Sequence, residues 1–477
     1  MSGPAGMDTA TADIGTAGTA TAGTPMADLG TADLGTADIG ERTADMTTTT
    51  AGMTTTDEPG RPEDLLAHLR PGADLIVPIQ LGEPVTLLDT LEAHAGELSG
   101  VRVHRMDPVA ERAYIRGEYG DHLRHVDYFL GPGSRAAYWR GTCELVPNHF
   151  SEMPRVLRLT TERPIALASA SLPDEHGYFS LGTNADYTAA FIGEAPFFLE
   201  ANARMPRTFG QNQVHISQVL GWCRADRELP ETAPPEPDGR DRTIAGLIAE
   251  RIGDGSCLQV GVGRIPDALL ASLTGHRDLG VHTEALSDGI MNLVDRGVIT
   301  GARKVQHRNQ HVATFCVGSR RLLRWLDNNS AVCLLPVDRV NDPRRVAREP
   351  RFVSINATSE VDLLGQAASE TIAGRYWSSS GGQADFARGA MYSPGGQGFL
   401  VLHSATGKGV SRINVSLTPG SVVTTLKNTV DNIVTEYGVA ALRGKSLSER
   451  ARALIAIAHP DHRDRLRHDA RKAGLLH

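Results

Sequence analysis

Residues 257 to 289, CLQVGVGRIPDALLASLTGHRDLGVHTEALSDG, decide how this chain is read. Cys257 to Val260 is a short apolar run that ends in Gly261-Val262-Gly263, and Pro266 then opens an amphipathic run with Ala268, Leu269, Leu270 and Leu273 on one face. Strand, glycine turn and helix is the natural parse. Proline fits a first helical turn, whose free N–H groups favour an anionic ligand group. The next run, Asp278 to Glu284, is again strand-like and leads into a helical pattern at Ile290, Leu293 and Val294. Ligands of open α/β sheets sit outside the carboxyl ends of the strands, so Glu284 is expected at that edge. On this stretch alone the glycines can also be a simple tight turn, and Glu284 a solvated carboxylate at a strand end.

The glycine loop is not a dinucleotide fingerprint. GxGxxP lacks the third glycine, no matching ribose-binding acid is evident, and no Gly-Lys-Ser/Thr of a phosphate loop follows. A nicotinamide dehydrogenase is therefore disfavoured.

Working outward, 477 residues are too many for one ordinary core, and two α/β-sized units are expected. The clearest internal boundary is ELPETAPPEPDGRDR, residues 228 to 242, where proline and charge displace nearly every apolar residue. The expected organisation is a tail over 1–60, a first domain over 61–227, a Pro-rich acidic linker over 228–240 and a second domain over 241–470. In the first domain, Pro62 to Leu69 reads as a helix, and Asp74 to Pro78, Val126 to Leu130 and Pro164 to Ala170 read as strands. Helices alternating with strands predict an α/β fold with an open, mostly parallel sheet in each domain and helices on both faces.

The tail shows a period of five, TADIG to TADIG, from Thr11 to Gly40. It resembles a pentapeptide-repeat solenoid but supplies little more than one turn, so a disordered low-complexity segment is expected. Residues 1–60 carry nine acids against Arg42 alone, a balance of −8 that equals the whole chain's. The body is thus neutral, which argues against nucleic acid or an anionic membrane as partner. No run approaches the roughly 20 apolar residues of a membrane span. Cys143, Cys223, Cys257, Cys316 and Cys333 are odd in number and widely spaced, so reduced, buried thiols in a cytoplasmic protein are expected, with no metal site.

Three glutamates close β-like runs in the second domain: Glu284, Glu360 and Glu436. Convergent carboxylates in a cleft are candidates for covalent or acid–base chemistry. Between the last two lie Ser378-Ser-Ser-Gly381-Gly382-Gln-Ala-Asp and Ser404-Ala-Thr-Gly-Lys408-Gly-Val410. Bare N–H groups in such glycine loops can approach a ligand or a developing oxyanion, and Lys408 can meet a phosphate or simply be a solvated loop cation.

Taken in order, GVGRIPDALL, LGVHTEALSDG, SINATSEVDLLGQ, GGQADFARGA and VTEYGVAALRGKSLSERA, with SLPDEHGYFSLG and MPRT earlier in the chain, resemble the acetyl-CoA hydrolase/transferase family of class I CoA-transferases, above all its 4-hydroxybutyrate CoA-transferase-like members. The resemblance runs from about Pro84 to Arg465. It implies two NagB/RpiA-like domains, no permanently bound cofactor, coenzyme A or acyl-CoA as substrate, and a homodimer or larger homo-oligomer. It further implies transfer of CoA between a short-chain acyl-CoA such as acetyl-CoA and a carboxylate such as acetate, butyrate or 4-hydroxybutyrate. Hydrolysis by the same fold, or CoA binding without catalysis, are the other readings.

Residue by residue, the resemblance implies that Glu284 forms a glutamyl-CoA thioester, that Asn356 is an oxyanion donor, and that Glu436 is a second active-site acid. Gly261, Val262, Gly263, Arg264 and Ile265 would line CoA, with Gly381, Gly382 and Lys408 as further contacts. Glu360 is read as structural support. Ala285 after HTE, Ala357-Thr-Ser before Glu360 and Asp431-Asn432 before IVTE depart from familiar relatives and bear on acyl specificity.

Overall fold

The computed structural model describes residues 58–232 and 236–477. The pentapeptide-like run from Thr11 to Gly40 lies outside the described residues. Two main sheets carry the fold. The first holds β1 (Asp74–Ile76), β2 (Val101–Arg105), β3 (Leu123–Asp127), β4 (Glu144–Leu145), β5 (Ile165–Ala170), β6 (Phe197–Asn202) and β7 (Val219–Ala225) in the order β7-β6-β5-β1-β2-β3-β4. Every pairing in it is parallel. The central β5 and β6 are buried along their whole length, which is why they read as near-continuous apolar runs instead of alternating ones.

The second sheet is ordered β9-β8-β10-β11-β12-β13, from β8 (Cys257–Val260), β9 (Gly280–Val281), β10 (Phe352–Ala357), β11 (Gln397–Val401), β12 (Asn432–Thr435) and β13 (Gly438–Ala441). Only the β12–β13 hairpin is antiparallel. Flanking helices include α1 (Gly239–Ala249), α2 (Arg264–Ser272), α3 (Asp288–Asp295) and α4 (Gln383–Tyr392). Asp238 accepts from the N–H groups of Arg240 and Asp241 and so starts α1 with a capping box, ending the proline-rich segment.

The halves are not independent bodies. One apolar cluster joins Leu199 and Trp222 of the first sheet's strands to Ile244, Leu258, Val353 and Phe399 around the second. Phe209–Gly210, from the first half, pairs in parallel with Cys333–Leu334 of the second. Gly210 has φ +132°, and a side chain there would strike the Leu334 backbone, so the pairing needs glycine.

The HTE stretch differs from the expected single strand. Regular pairing stops at Val281, and the chain crosses over His282-Thr283-Glu284 to a separate two-residue strand, Ala285–Leu286, beside Phe315–Cys316. One apolar run therefore serves two sheets. All five cysteines are buried and free. Among the described residues, no helix is long and apolar enough to cross a membrane.

Candidate active site

The carboxyl ends of β9, β8 and β10 are neighbours, and each delivers one of the sequence-selected groups. Gly261 continues the β8–β10 ladder by donating to the Ile355 carbonyl at 3.1 Å, which sets it beside Asn356. Beyond β9, three successive side chains or carbonyls lock the crossover. His282 donates from Nε2 to the Val340 carbonyl at 2.7 Å, Thr283 Oγ1 donates to the Val260 carbonyl at 3.2 Å, and the Glu284 carbonyl accepts from Thr314 and Phe315. Burial lowers the His282 pKa to about 3, with the Lys304 charge adding to the effect, so the ring is neutral and acts as a fixed tie.

The Glu284 side chain is partly buried. Asn341 Nδ2 donates to its Oε2 at 2.7 Å, and the Gly382 N–H donates to the same carboxyl. Gly382 is the N-cap of α4, and a side chain at this position would collide with both the Glu284 carboxyl and the Asn341 amide. Two donors and a helix N-terminus both favour the charged carboxylate. Desolvation is larger and opposes them, and the pKa is pushed up to about 7. Glu284 is thus an acid whose charge is held by few partners and whose ionisation falls near neutrality.

Asn341 was not selected from the sequence. It sits at the end of a one-turn helix, Val337–Val340, before Asp342-Pro343, and reads as a turn residue. It is fully buried, and its Oδ1 has no partner. The His282–Val340 bond and the Asn341–Glu284 bond join the same two segments, so the amide's position is set twice over.

Asn356 is placed at the neighbouring strand end, but its amide exchanges two hydrogen bonds with that of buried Gln259, at 2.9 and 3.1 Å. The amide on Glu284 is that of Asn341. Gly263, with φ +128°, caps α2 and leaves the Gly261-to-Ile265 turn open above this edge, with Val262 exposed. The Gly381 carbonyl accepts from the Phe150 N–H, in the first half of the chain, at 3.1 Å.

Glu436 and Lys408 lie farther along the sheet. Glu436 follows β12 and accepts from Ser404 N at 2.9 Å and Ser404 Oγ at 2.8 Å, which fixes the loop after β11. That loop turns back at Thr406 to Val410 and leaves Lys408 exposed at its tip. Glu360 begins a short strand, is buried, and accepts from Asn414 Nδ2, Thr418 N, Thr418 Oγ1 and Ser421 Oγ. Its lone pairs are occupied.

A second acid near Glu284 also escaped the sequence reading. Asp385, in the first turn of α4, is buried and accepts from Ser151 N at 3.0 Å and Ser151 Oγ at 2.8 Å. Burial, with the Glu284 charge adding, raises its pKa to about 7. Among the described residues one group, Asp238, Asp241 and His403, brings three possible metal-ligand atoms together. Its carboxylates already cap α1 and its His403 Nε2 already meets Asp241 at 2.7 Å, so the cluster is accounted for as a helix start.

Residues 61–231 match the acetyl-CoA hydrolase/transferase N-terminal domain and residues 318–470 the C-terminal domain of the same family. The chain is 40% identical to the succinyl-CoA:cyclohexane-1-carboxylate CoA transferase of Geobacter metallireducens over 87% of its own length and 95% of the relative's. It is also 40% identical to the 4-hydroxybutyrate coenzyme A transferase of Clostridium kluyveri, over 82% and 92%. The crystal structure of RipA from Yersinia pestis superposes with a TM-score of 0.83 at 34% identity, covering 88% of this chain and 98% of that one. With both domain models matched and relatives 40% identical across both halves, the chain belongs to the acetyl-CoA hydrolase/transferase family.

Proposed function

We propose that this protein is a CoA-transferase acting between a short-chain acyl-CoA and a free carboxylate, through a thioester formed on Glu284. The observation that carries the reading is the Glu284 carboxyl itself, held by two N–H donors at the mouth of a glycine turn and otherwise unclaimed. A nucleophilic carboxylate needs free lone pairs and poor solvation, and this one has both.

A Glu284 oxygen attacks the thioester carbonyl. The C–S bond breaks, CoA leaves as thiolate, and a mixed acyl-glutamyl anhydride remains. The thiolate then attacks the glutamyl carbonyl, expelling the first carboxylate and leaving glutamyl-CoA. An incoming carboxylate attacks that thioester, and the same two steps run in reverse to release the new acyl-CoA. No net hydrolysis occurs, so thioester energy is retained.

Each tetrahedral intermediate places negative charge on an oxygen bonded to the attacked carbon. The Asn341 amide and Gly382 N–H, already fixed on Glu284, are the donors positioned for this charge on the glutamyl side. Gly261 to Ile265 line the CoA arm beside it, and exposed Lys408 takes a CoA phosphate. Asn356 braces the glycine turn through Gln259, and Glu436 orders the Lys408 loop through Ser404.

The test is incubation with acetyl-CoA followed by intact-mass analysis, with and without borohydride. The expected result is a CoA adduct on Glu284 that borohydride destroys, and CoA transfer that scales with added short-chain carboxylate. Failure to form the adduct with any acyl-CoA overturns the reading. CoA release that needs no acceptor replaces transferase with hydrolase.

A further inference from the structure

The stretch that presents Gly382 to Glu284 is gripped almost residue by residue by the first half of the chain. Trp139 Nε1 donates to the Tyr376 carbonyl at 2.8 Å, and Arg135 Nε to the Trp377 carbonyl at 2.6 Å. The Arg135 guanidinium lies 3.8 Å from the Trp377 ring centroid, and that of Arg375 lies 4.1 Å from the Trp139 ring centroid. Such reciprocal cation–π stacking holds the two segments face to face. Phe150 N then claims Gly381, and Ser151 claims Asp385.

Asp385 stands out in this series. A buried carboxylate costs desolvation that an apolar residue in the first turn of α4 would avoid. Among the described residues its hydrogen-bond donors come from Ser151 alone, one to each oxygen, and Asp385 is three residues after Gly382 on the same turn. The carboxylate therefore fixes the helix start that aims the Gly382 N–H.

We propose that Asp385 is a positioning residue for the Glu284 chemistry: clamped by the Ser151 N–H and hydroxyl across the boundary between the halves, it holds the Gly382 N–H on the Glu284 carboxyl. The inference rests on the CoA-transferase reading above. It assigns the first half of the chain a part in orienting the nucleophile. The charges that raise the Asp385 pKa are those of Glu284 and Glu152, and the cleft it lines also holds His149, Asp338, Asp342 and the guanidinium groups of Arg155, Arg339, Arg344, Arg345 and Arg388. The Glu284 charge adds to the rise in the Asp385 pKa.

The test is the rate of glutamyl-CoA adduct formation against pH for the full chain and for Ser151→Ala, Ser151→Thr and Asp385→Asn. Ser151→Ala is expected to slow the adduct by about 10- to 100-fold while half-saturation in acyl-CoA stays within about threefold. Ser151→Thr, which keeps the hydroxyl, is expected to restore the rate to within about threefold. Asp385→Asn, which keeps only one acceptor oxygen for the two Ser151 donors, is expected to slow the adduct by about 10-fold or more. Ser151→Ala and Asp385→Asn both within about twofold of the parent at every pH, or Ser151→Thr as slow as Ser151→Ala, overturns the proposal while leaving the function intact. A parent chain that forms no adduct fells both.

Discussion

Glu284 and Glu360 look alike in sequence, each closing an apolar run, and the fold treats them in opposite ways. Glu360 meets four donors from Asn414, Thr418 and Ser421, which consume its lone pairs in tying down a loop. Glu284 meets two, from Asn341 and Gly382, and sits where desolvation outweighs them. The lesson concerns supply and demand of donors. A buried carboxylate that is fully satisfied serves structure, and one left short of partners keeps oxygens for chemistry.

Four experiments press on that contrast. Glu284→Gln should abolish the CoA adduct and lower transfer by at least about 10⁴-fold, with the fold kept. Asn341→Ala should cost about 10²- to 10³-fold in kcat, the usual loss for one oxyanion donor, and intact mass should still find the adduct on Glu284. Glu360→Ala should do the reverse, lowering unfolding free energy by about 3 kcal/mol in denaturant titration through four stranded donors, while activity of the folded fraction stays within a few-fold. A large activity loss there without a stability loss would erase the distinction.

The smallest effect is linked to pH. The folded-state pKa of Glu284 is raised above its ordinary value, so the native state binds the proton more tightly than the unfolded one. Stability from this group is present below the ordinary glutamate pKa and is lost as pH rises to about 7. Glu284→Gln removes that loss. Its stability gain over the parent should be near zero at pH 4 and grow to about 2 kcal/mol by pH 8, read as the widening gap between their denaturant midpoints.

Much of the fold was legible because parallel, twice-covered strands advertise themselves. Ile165–Ala170 and Cys257–Val260 appear as short apolar runs bounded by turn residues, and both are strands. The crossover at His282-Thr283-Glu284 was invisible, since an apolar run carries no mark of which sheet each residue joins. In the site, strand, turn and helix order gives the Gly261 turn and an acid at a strand edge, whereas the role expected of Glu284 comes from the family resemblance. Asn341 could not be read, because Val-Asn-Asp-Pro is an ordinary helix stop whose amide acquires a target only when His282 draws the segment in. Asp385 was hidden for the same reason. Its two hydrogen bonds go to Ser151, in the other half of the chain.

The Phe209–Gly210 strand has a consequence for synthesis. Its partner, Cys333–Leu334, leaves the ribosome long after it, so the first half must wait with an open edge until the second is made. Loop closure over such a distance is slow, and exposed edges meanwhile invite pairing with neighbouring nascent chains. Cutting the gene at the proline-rich segment would make that waiting state permanent. Two separately produced halves are therefore expected to aggregate, whereas co-expression would let each supply the other's missing edge.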